Sequence, residues 1–152
     1  MSSIPVDEHD TLTSNLLAFA EVEPIEIPIP LERHLGEKLH AHARRYTDNR
    51  PSTRVKDLID IVLIRQLKPF ELQQLRAEIG RVFKIRDARP PAAIGQPQLE
   101  WTQPYRSLAT EVGLHPDLEE GHRLAADFLD LVLSDERNFA RWDVNTFKWQ
   151  RV

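Results

Sequence analysis

Hydrophobic residues return at helical spacing in five stretches of this chain. In the first stretch, Leu31, Leu35 and Leu39 lie four residues apart and mark one face of a helix. Similar apolar faces run through four later stretches, and prolines or capping residues begin several of them. The predicted helices cover 30–47, 52–67, 69–83, 102–112 and 117–134. The pattern therefore predicts a mainly α protein.

One segment, 22–29, departs from helical spacing. Ile25, Ile27 and Ile29 alternate there with a glutamate and a proline, which is typical of a β-strand. Proline cannot donate a hydrogen bond to a sheet, so this segment is predicted to be an edge strand or an isolated extended stretch. No other part of the chain shows a convincing strand pattern, and the aromatic tail 139–149 is predicted to pack back as an irregular cap. The segment 22–29 is thus expected to be an orphan strand.

The same pattern divides the chain into a tail and one domain. Residues 1–15 have no periodicity and are predicted to be a disordered lead-in. Residues 16–152 are predicted to form a helical domain, which is long enough to bury a hydrophobic core. A proline-rich loop at 86–100 marks a candidate boundary within that domain.

Composition excludes several classes of protein. The net charge is −4, so the chain as a whole does not attract nucleic acid or an anionic membrane. There is no cysteine, which excludes disulfides, thiolate zinc sites and thiol catalysis. No apolar run approaches the roughly 18 to 20 residues that cross a bilayer, and the acidic N-terminus does not match a secretory signal. These features predict a soluble cytoplasmic protein.

Charged residues on the first two helices are the main candidates for chemistry. Lys38 lies on a polar face of the first helix, and Asp57 and Asp60 share a face of the second. Because a short loop joins the helices, antiparallel packing brings these two faces together. Lysine and aspartate in one place suit phosphate chemistry. Spacing alone favours the alternative, a structural ion-pair network between the helices.

Three other groups of residues are candidates for a function. The histidines at 34, 40 and 42 lack the spacing of a helical metal site, so no metal site is predicted. A basic strip is interpreted as either a solvated surface or a contact for tRNA or nucleotide, and four aromatic residues as either packing or base-stacking groups. The strip comprises Arg33, Lys38, Arg44, Arg45, Arg50, Arg54 and Lys56, and the aromatic residues are Trp101, Tyr105, Trp142 and Trp149.

Two consecutive motifs give the chain a family resemblance. Residues 30–46 read PLERHLGEKLHAHARRY, and residues 52–64 read STRVKDLIDIVLI. This pair of helices resembles the AbiEii/AbiGii-type nucleotidyltransferase toxin family, and so do residues 17–20 and the pattern from Trp101 to Leu129. The resemblance extends from about residue 16 to the end of the chain. It implies that the five helices are the C-terminal part of a nucleotidyltransferase-like α/β protein.

The resemblance also implies an activity and its site. Members transfer a nucleotide from a nucleoside triphosphate, with Mg²⁺, to acceptors such as tRNA, in type IV toxin–antitoxin or phage-defence systems. Lys38 matches the family's catalytic or triphosphate-binding lysine, and Asp57 or Asp60 matches its later aspartate. These three are the predicted catalytic residues, and the predicted substrate-binding residues are Glu37, Arg45, Arg54 and Lys56.

The sequence departs from the family in one respect. The family's metal-binding segment begins with Gly-Ser and continues to Asp-x-Asp, whereas the first glycine here is Gly36, and Asp7, Glu8 and Asp10 are poor substitutes. The chain is therefore expected to be a C-terminal portion that is catalytically incomplete and binds no cofactor alone. Its expected partner is an antitoxin or a separately encoded N-terminal half. The alternative is a helical binding module that engages such a partner without catalysing transfer.

Overall fold

Five α-helices and a small β-hairpin make up the described part of the fold. A computed structural model describes residues 29–44, 51–134, 136, 137 and 139–152. The helices are α1 (Leu31–Ala43), α2 (Pro51–Ile64), α3 (Leu72–Ile85), α4 (Thr102–Glu111) and α5 (Leu118–Leu133), with a 3₁₀ turn at Leu99–Trp101. Strands β1 (Ala140–Asp143) and β2 (Lys148–Arg151) follow. The predicted mainly α class with five helices is confirmed.

Helix α2 lies at the centre of this arrangement. It contacts α1, α4 and α5, and every residue from 58 to 64 is buried. A helix that is apolar on all sides has to be enclosed by other elements, because each of its faces needs to leave water. The consequence is that Asp60, which belongs to this run, lies inside the hydrophobic core.

Two glycines allow the outer helices to approach closely. A Cβ atom at Gly36 of α1 would lie 3.0 Å from Val82 Cγ2 of α3. A methyl group at Gly121 of α5 would overlap the Tyr105 hydroxyl of α4. Both close approaches require glycine, since interiors packed at crystal-like density leave no room for an extra carbon atom. No helix in the described ranges has the length and apolar character needed to cross a membrane.

The prediction of an irregular C-terminal cap, with no strand besides 22–29, is wrong. Strands β1 and β2 pair in an antiparallel hairpin in which Trp142 lies opposite Trp149. The backbone N–H of Trp142 also donates to Phe70 O at 2.8 Å, and its indole N–H donates to Arg65 O at 2.8 Å. The two indoles provide the cross-strand pair that stabilises a hairpin of this length.

Three predicted boundaries shift in the structure. Helix α1 ends at Ala43, because Arg44 is extended with a ψ of 141°, and not at 47. Helix α2 ends at Ile64, and a turn follows it. Helix α3 begins at Leu72 and not at Pro69, because Glu71 pairs with Arg141 in a β-bridge.

The predictions for the N-terminal segments and for the proline-rich loop have different outcomes. The lead-in 1–15 and the strand segment up to residue 28 lie outside the described residues. The proline-rich loop is mostly irregular, as expected, and Ile94 anchors it. That side chain is buried, and its backbone N–H donates to Asp130 Oδ1 at 3.1 Å. The proposed boundary at 86–100 stays a prediction.

Candidate functional site

The predicted juxtaposition of Lys38 with the aspartates of α2 is present in the structure. Lys38 Nζ lies 2.8 Å from Asp60 Oδ2. The Lys38 side chain keeps 27% of its surface exposed, whereas the Asp60 side chain has none. A fully buried carboxylate thus pairs with the ammonium of a lysine whose side chain is partly exposed.

Asp57 lies one turn before Asp60 on the same side of α2. It is buried, and its Oδ2 atom accepts no hydrogen bond within the described residues. Burial raises the pKa of Asp57 to about 7, and the nearby Lys38 ammonium only partly offsets this effect. A carboxyl group with a pKa near neutrality can both accept and release a proton under ordinary conditions.

Arg54 is turned towards the backbone of α1. Its guanidinium donates to the carbonyl of Ala41 and, at 2.8 Å, to the carbonyl of His42. These are among the last carbonyls of the helix, which have no partner within the helix itself. The Arg54 carbonyl in turn lies 3.2 Å from His42 Nδ1. Arg54 therefore fixes α1 against α2, so the structure places its guanidinium in a helix contact.

His42 is another buried titratable group at this contact. Burial lowers its pKa to about 4, although the hydrogen bond with the Arg54 carbonyl acts in the opposite direction. Its ring meets Trp101 edge to face, with centroids 5.4 Å apart. His42 is neutral at physiological pH, and it packs like an apolar side chain there.

Glu37 lies on a different face of α1 from Lys38. Its Oε1 atom accepts from Arg86 Nη2 at 2.6 Å and from Arg86 Nε at 3.0 Å. The pair lies in a groove of about 530 Å³ between α1 and α3, which Arg33 and Arg81 also line. The structure therefore separates Glu37 from Asp57 and Asp60. Of the other predicted substrate-binding residues, Lys56 is half-buried on α2, and Arg45 lies outside the described residues.

The described residues do not fit a magnesium ion. Mg²⁺ in proteins requires exposed oxygen ligands and keeps several waters, whereas Asp60 is fully buried against an ammonium group. No cluster of three carboxylates or histidines suited to a metal occurs in the described ranges. Lys38 suits a triphosphate better, because its ammonium is a compact positive charge on a partly exposed side chain.

The aromatic residues follow the packing alternative. Trp101, Tyr105 and Trp142 are buried. Trp149 is partly buried, donates its indole N–H to Phe128 O at 2.9 Å, and stacks on the Phe128 ring. The three buried side chains therefore have no free face for a base, which favours packing over base stacking for them.

Sequence reasoning overlooked Arg65. This residue follows the apolar run 61–64 directly, and it is buried beside the hairpin. A single charged residue at the end of an otherwise buried helix was the available signal. The signal was not interpretable, because the hairpin that covers Arg65 was not predicted.

Comparison with known proteins adds the family. The family model described as "Nucleotidyl transferase AbiEii toxin, Type IV TA system" matches residues 5–146. No curated protein and no solved structure matches the chain. The match covers most of the sequence and includes both helices that carry Lys38, Asp57 and Asp60. The chain belongs to the AbiEii family of nucleotidyltransferase toxins from type IV toxin–antitoxin systems, and the family implies an antitoxin as its partner.

Proposed function

From its membership of the AbiEii family, we propose that this chain takes part in the transfer of a nucleotide from a nucleoside triphosphate to an RNA acceptor such as tRNA. Lys38 contacts the triphosphate, and Asp60 positions Lys38. The reaction belongs to the cytoplasm, where both substrates occur, and it serves in toxin–antitoxin or phage-defence systems. The observation that carries this proposal is the ion pair between Lys38 Nζ and the buried Asp60 Oδ2 at 2.8 Å.

The unequal exposure of the two partners supports a functional role for this pair. A purely structural ion pair gains little from a buried carboxylate, because the loss of hydration offsets the attraction between the charges. Here the lysine retains 27% of its side-chain surface, and the proposal is that its ammonium meets a phosphate while Asp60 holds it. Lysine is a compact charge that suits triphosphates.

Asp57 is proposed to act as the general base that accepts the proton of the acceptor hydroxyl. In the transfer, the hydroxyl oxygen forms a bond to the α-phosphorus, the bond from that phosphorus to the bridging oxygen breaks, and pyrophosphate leaves. The hydroxyl proton passes to Asp57. A pKa raised to about 7 suits this role, since proton transfer is most efficient when the pKa is near the working pH.

The Mg²⁺-binding carboxylates are proposed to come from outside the described residues. The burial of Asp60 against Lys38 supports this view, because that aspartate is already committed to the lysine. The source is then another segment of this chain or a separately encoded N-terminal half. We therefore propose that the described helices supply the lysine and aspartate side of the site and are catalytically incomplete alone.

Binding of a labelled nucleoside triphosphate to the full chain tests the role of Lys38 independently of transfer. Lys38→Ala is expected to weaken binding by at least about tenfold, which is the usual loss for a hydrogen bond to a charged group. Lys84→Ala is the matched control, because Lys84 is an exposed lysine on α3, a helix that carries none of the proposed catalytic residues. Equal binding by wild type and Lys38→Ala would contradict the proposal.

A folding control and a transfer assay complete this test. Lys38→Ala removes the partner of a buried carboxylate, so the double variant Lys38→Ala with Asp60→Asn is measured as well, since it removes both charges. Label transfer to total tRNA with Mg²⁺ is then assayed with the chain alone. Transfer that depends on Lys38 would show that this chain itself supplies the Mg²⁺-binding carboxylates, and it would rule out the need for a separately encoded N-terminal half.

A further inference from the structure

Arg65 is a buried cation with no ion-pair partner in the described part of the chain. The residue is only 5% exposed, and its Nε atom is buried without a hydrogen-bond partner. Burial lowers the pKa of the guanidinium from its ordinary value. A buried charge is normally paired, because removing it from water is costly. The structure thus leaves one donor of this buried guanidinium without a partner.

Aromatic rings hold this guanidinium in place. Arg65 Cζ lies 4.2 Å from the centre of the Phe147 ring and 5.9 Å from the Trp142 ring. Phe147 has a φ of 56°, a backbone conformation that side chains other than glycine adopt at a cost. At this position of the hairpin turn, the large ring of Phe147 lies against the Arg65 guanidinium. Arg65 is thus fixed in one orientation before any ligand arrives.

Two further cations line the same cavity as Arg65. The cavity has a volume of about 510 Å³ and lies between α5 and the hairpin. Arg123 and Lys148 line it, with Asp127 as its only acidic residue among those described. Arg123 pairs with Glu120 and Asp127 at 2.6 and 3.0 Å, and its side chain is 57% exposed. Such exposed pairs are weak, so Arg123 is available to a stronger anion.

We propose that this cavity binds a phosphate group of a small ligand. Arg65, Arg123 and Lys148 outnumber the two carboxylates that pair with Arg123, so the cavity favours an anion. The planar guanidinium of Arg65 offers donors in the geometry that phosphate oxygens accept. Phe147 and Trp149 form an aromatic wall of the same cavity. This site is separate from the contact between α1 and α2, so it does not depend on the proposed nucleotide transfer.

Titration of the full chain with inorganic phosphate, followed by NMR, tests the proposal. The indole N–H of Trp149 and the guanidinium Nε–H of Arg65 are expected to shift in a saturable manner. Because Arg123 and Lys148 are exposed, Arg123→Gln and Lys148→Gln leave the core intact. Each is expected to weaken phosphate binding by about tenfold, as for a lost charge-assisted hydrogen bond. Arg81→Gln is the control, since Arg81 is an equally exposed arginine on α3 that pairs with Glu78.

Two further probes identify the ligand class. Adenosine monophosphate separates a nucleotide ligand from free phosphate, because tighter binding than phosphate indicates that the base also contacts the protein. Acetate tests the preference for phosphate. Absence of saturable shifts, equal binding of acetate and phosphate, or the same loss in Arg81→Gln would each overturn the proposal and leave Arg65 with a packing role alone.

Discussion

The contact between α1 and α2 and the aromatic cluster beneath the hairpin are both buried, yet they are built from opposite chemistries. The aromatic cluster joins Phe70, Phe128 and Trp142, with ring centroids 4.8 to 5.4 Å apart. The α1–α2 contact instead pairs Lys38 with the buried Asp60 and encloses two further titratable groups, Asp57 and His42. Apolar burial stabilises the folded state in proportion to the area removed from water, whereas buried charges contribute little net stability. Stability and candidate chemistry are therefore concentrated in different regions.

Removal of the central ring of the aromatic cluster is expected to have the largest effect on stability. Phe128 is fully buried and contacts Phe70, Trp142 and Trp149. Phe128→Ala should lower the free energy of unfolding by about 3 to 5 kcal/mol, through lost burial and a residual cavity. Urea denaturation measures this change. Phe139→Ala is the control, because Phe139 is 61% exposed. A loss below about 1 kcal/mol for Phe128→Ala would contradict the assignment of stability to this cluster.

At the α1–α2 contact, titratable groups are expected to make the free energy of unfolding depend on pH. Burial raises the pKa of Asp57 from 3.8 to about 7, so the folded protein retains a proton there that the unfolded chain has lost. Asp57 thus lowers stability as pH rises from about 4 to about 7. In Asp57→Asn this loss disappears, and the stability of the variant relative to wild type should rise by about 1.4 kcal/mol per pH unit in that range. Urea denaturation at several pH values measures the difference.

His42 should produce the opposite slope. Its pKa falls from 6.5 to about 4 in the folded protein, so the unfolded chain binds the additional proton between these values. His42 thus adds stability as pH rises from about 4 to about 6.5. In His42→Gln, stability relative to wild type should fall with pH at a similar rate. In wild type these two contributions largely cancel. If the stabilities of Asp57→Asn and His42→Gln relative to wild type changed with pH in the same direction, the pKa shift of one of the two groups would have the opposite sign.

The helices could be predicted from sequence, but the hairpin could not. Helical spacing of apolar residues is a local property, and Leu31, Leu35 and Leu39 are all buried as expected. The hairpin depends on distant partners: Trp142 donates to Phe70 and Arg65, which lie far away in the sequence. Strands this short carry little periodicity of their own. The start of α3 was misplaced for the same reason.

The site shows a similar division between local and distant information. Spacing placed Lys38 and Asp60 on facing helices, and the structure confirms that contact. Spacing could not distinguish an arginine turned towards a helix end from one open to a ligand, and Arg54 proved to bind the α1 carbonyls. It also could not separate Glu37 from Lys38, because the direction of each side chain depends on how α3 packs against α1. Functional roles for these residues remain predictions.

The smallest effect on the free energy of unfolding should come from loss of the ion pair between Glu37 and Arg86, whose charges lie at the surface and not at the buried α1–α2 contact. Their side chains are 37% and 45% exposed, unlike the buried Asp60. Exposed pairs contribute about 0.2 to 1 kcal/mol, since water and salt screen them. Glu37→Gln should therefore lower the free energy of unfolding by less than about 1 kcal/mol, and added salt should remove most of the difference. The same variant should bind nucleoside triphosphate as wild type does if the site lies only between α1 and α2. A clear loss of binding in Glu37→Gln would instead extend the site around α1 into the α1–α3 groove.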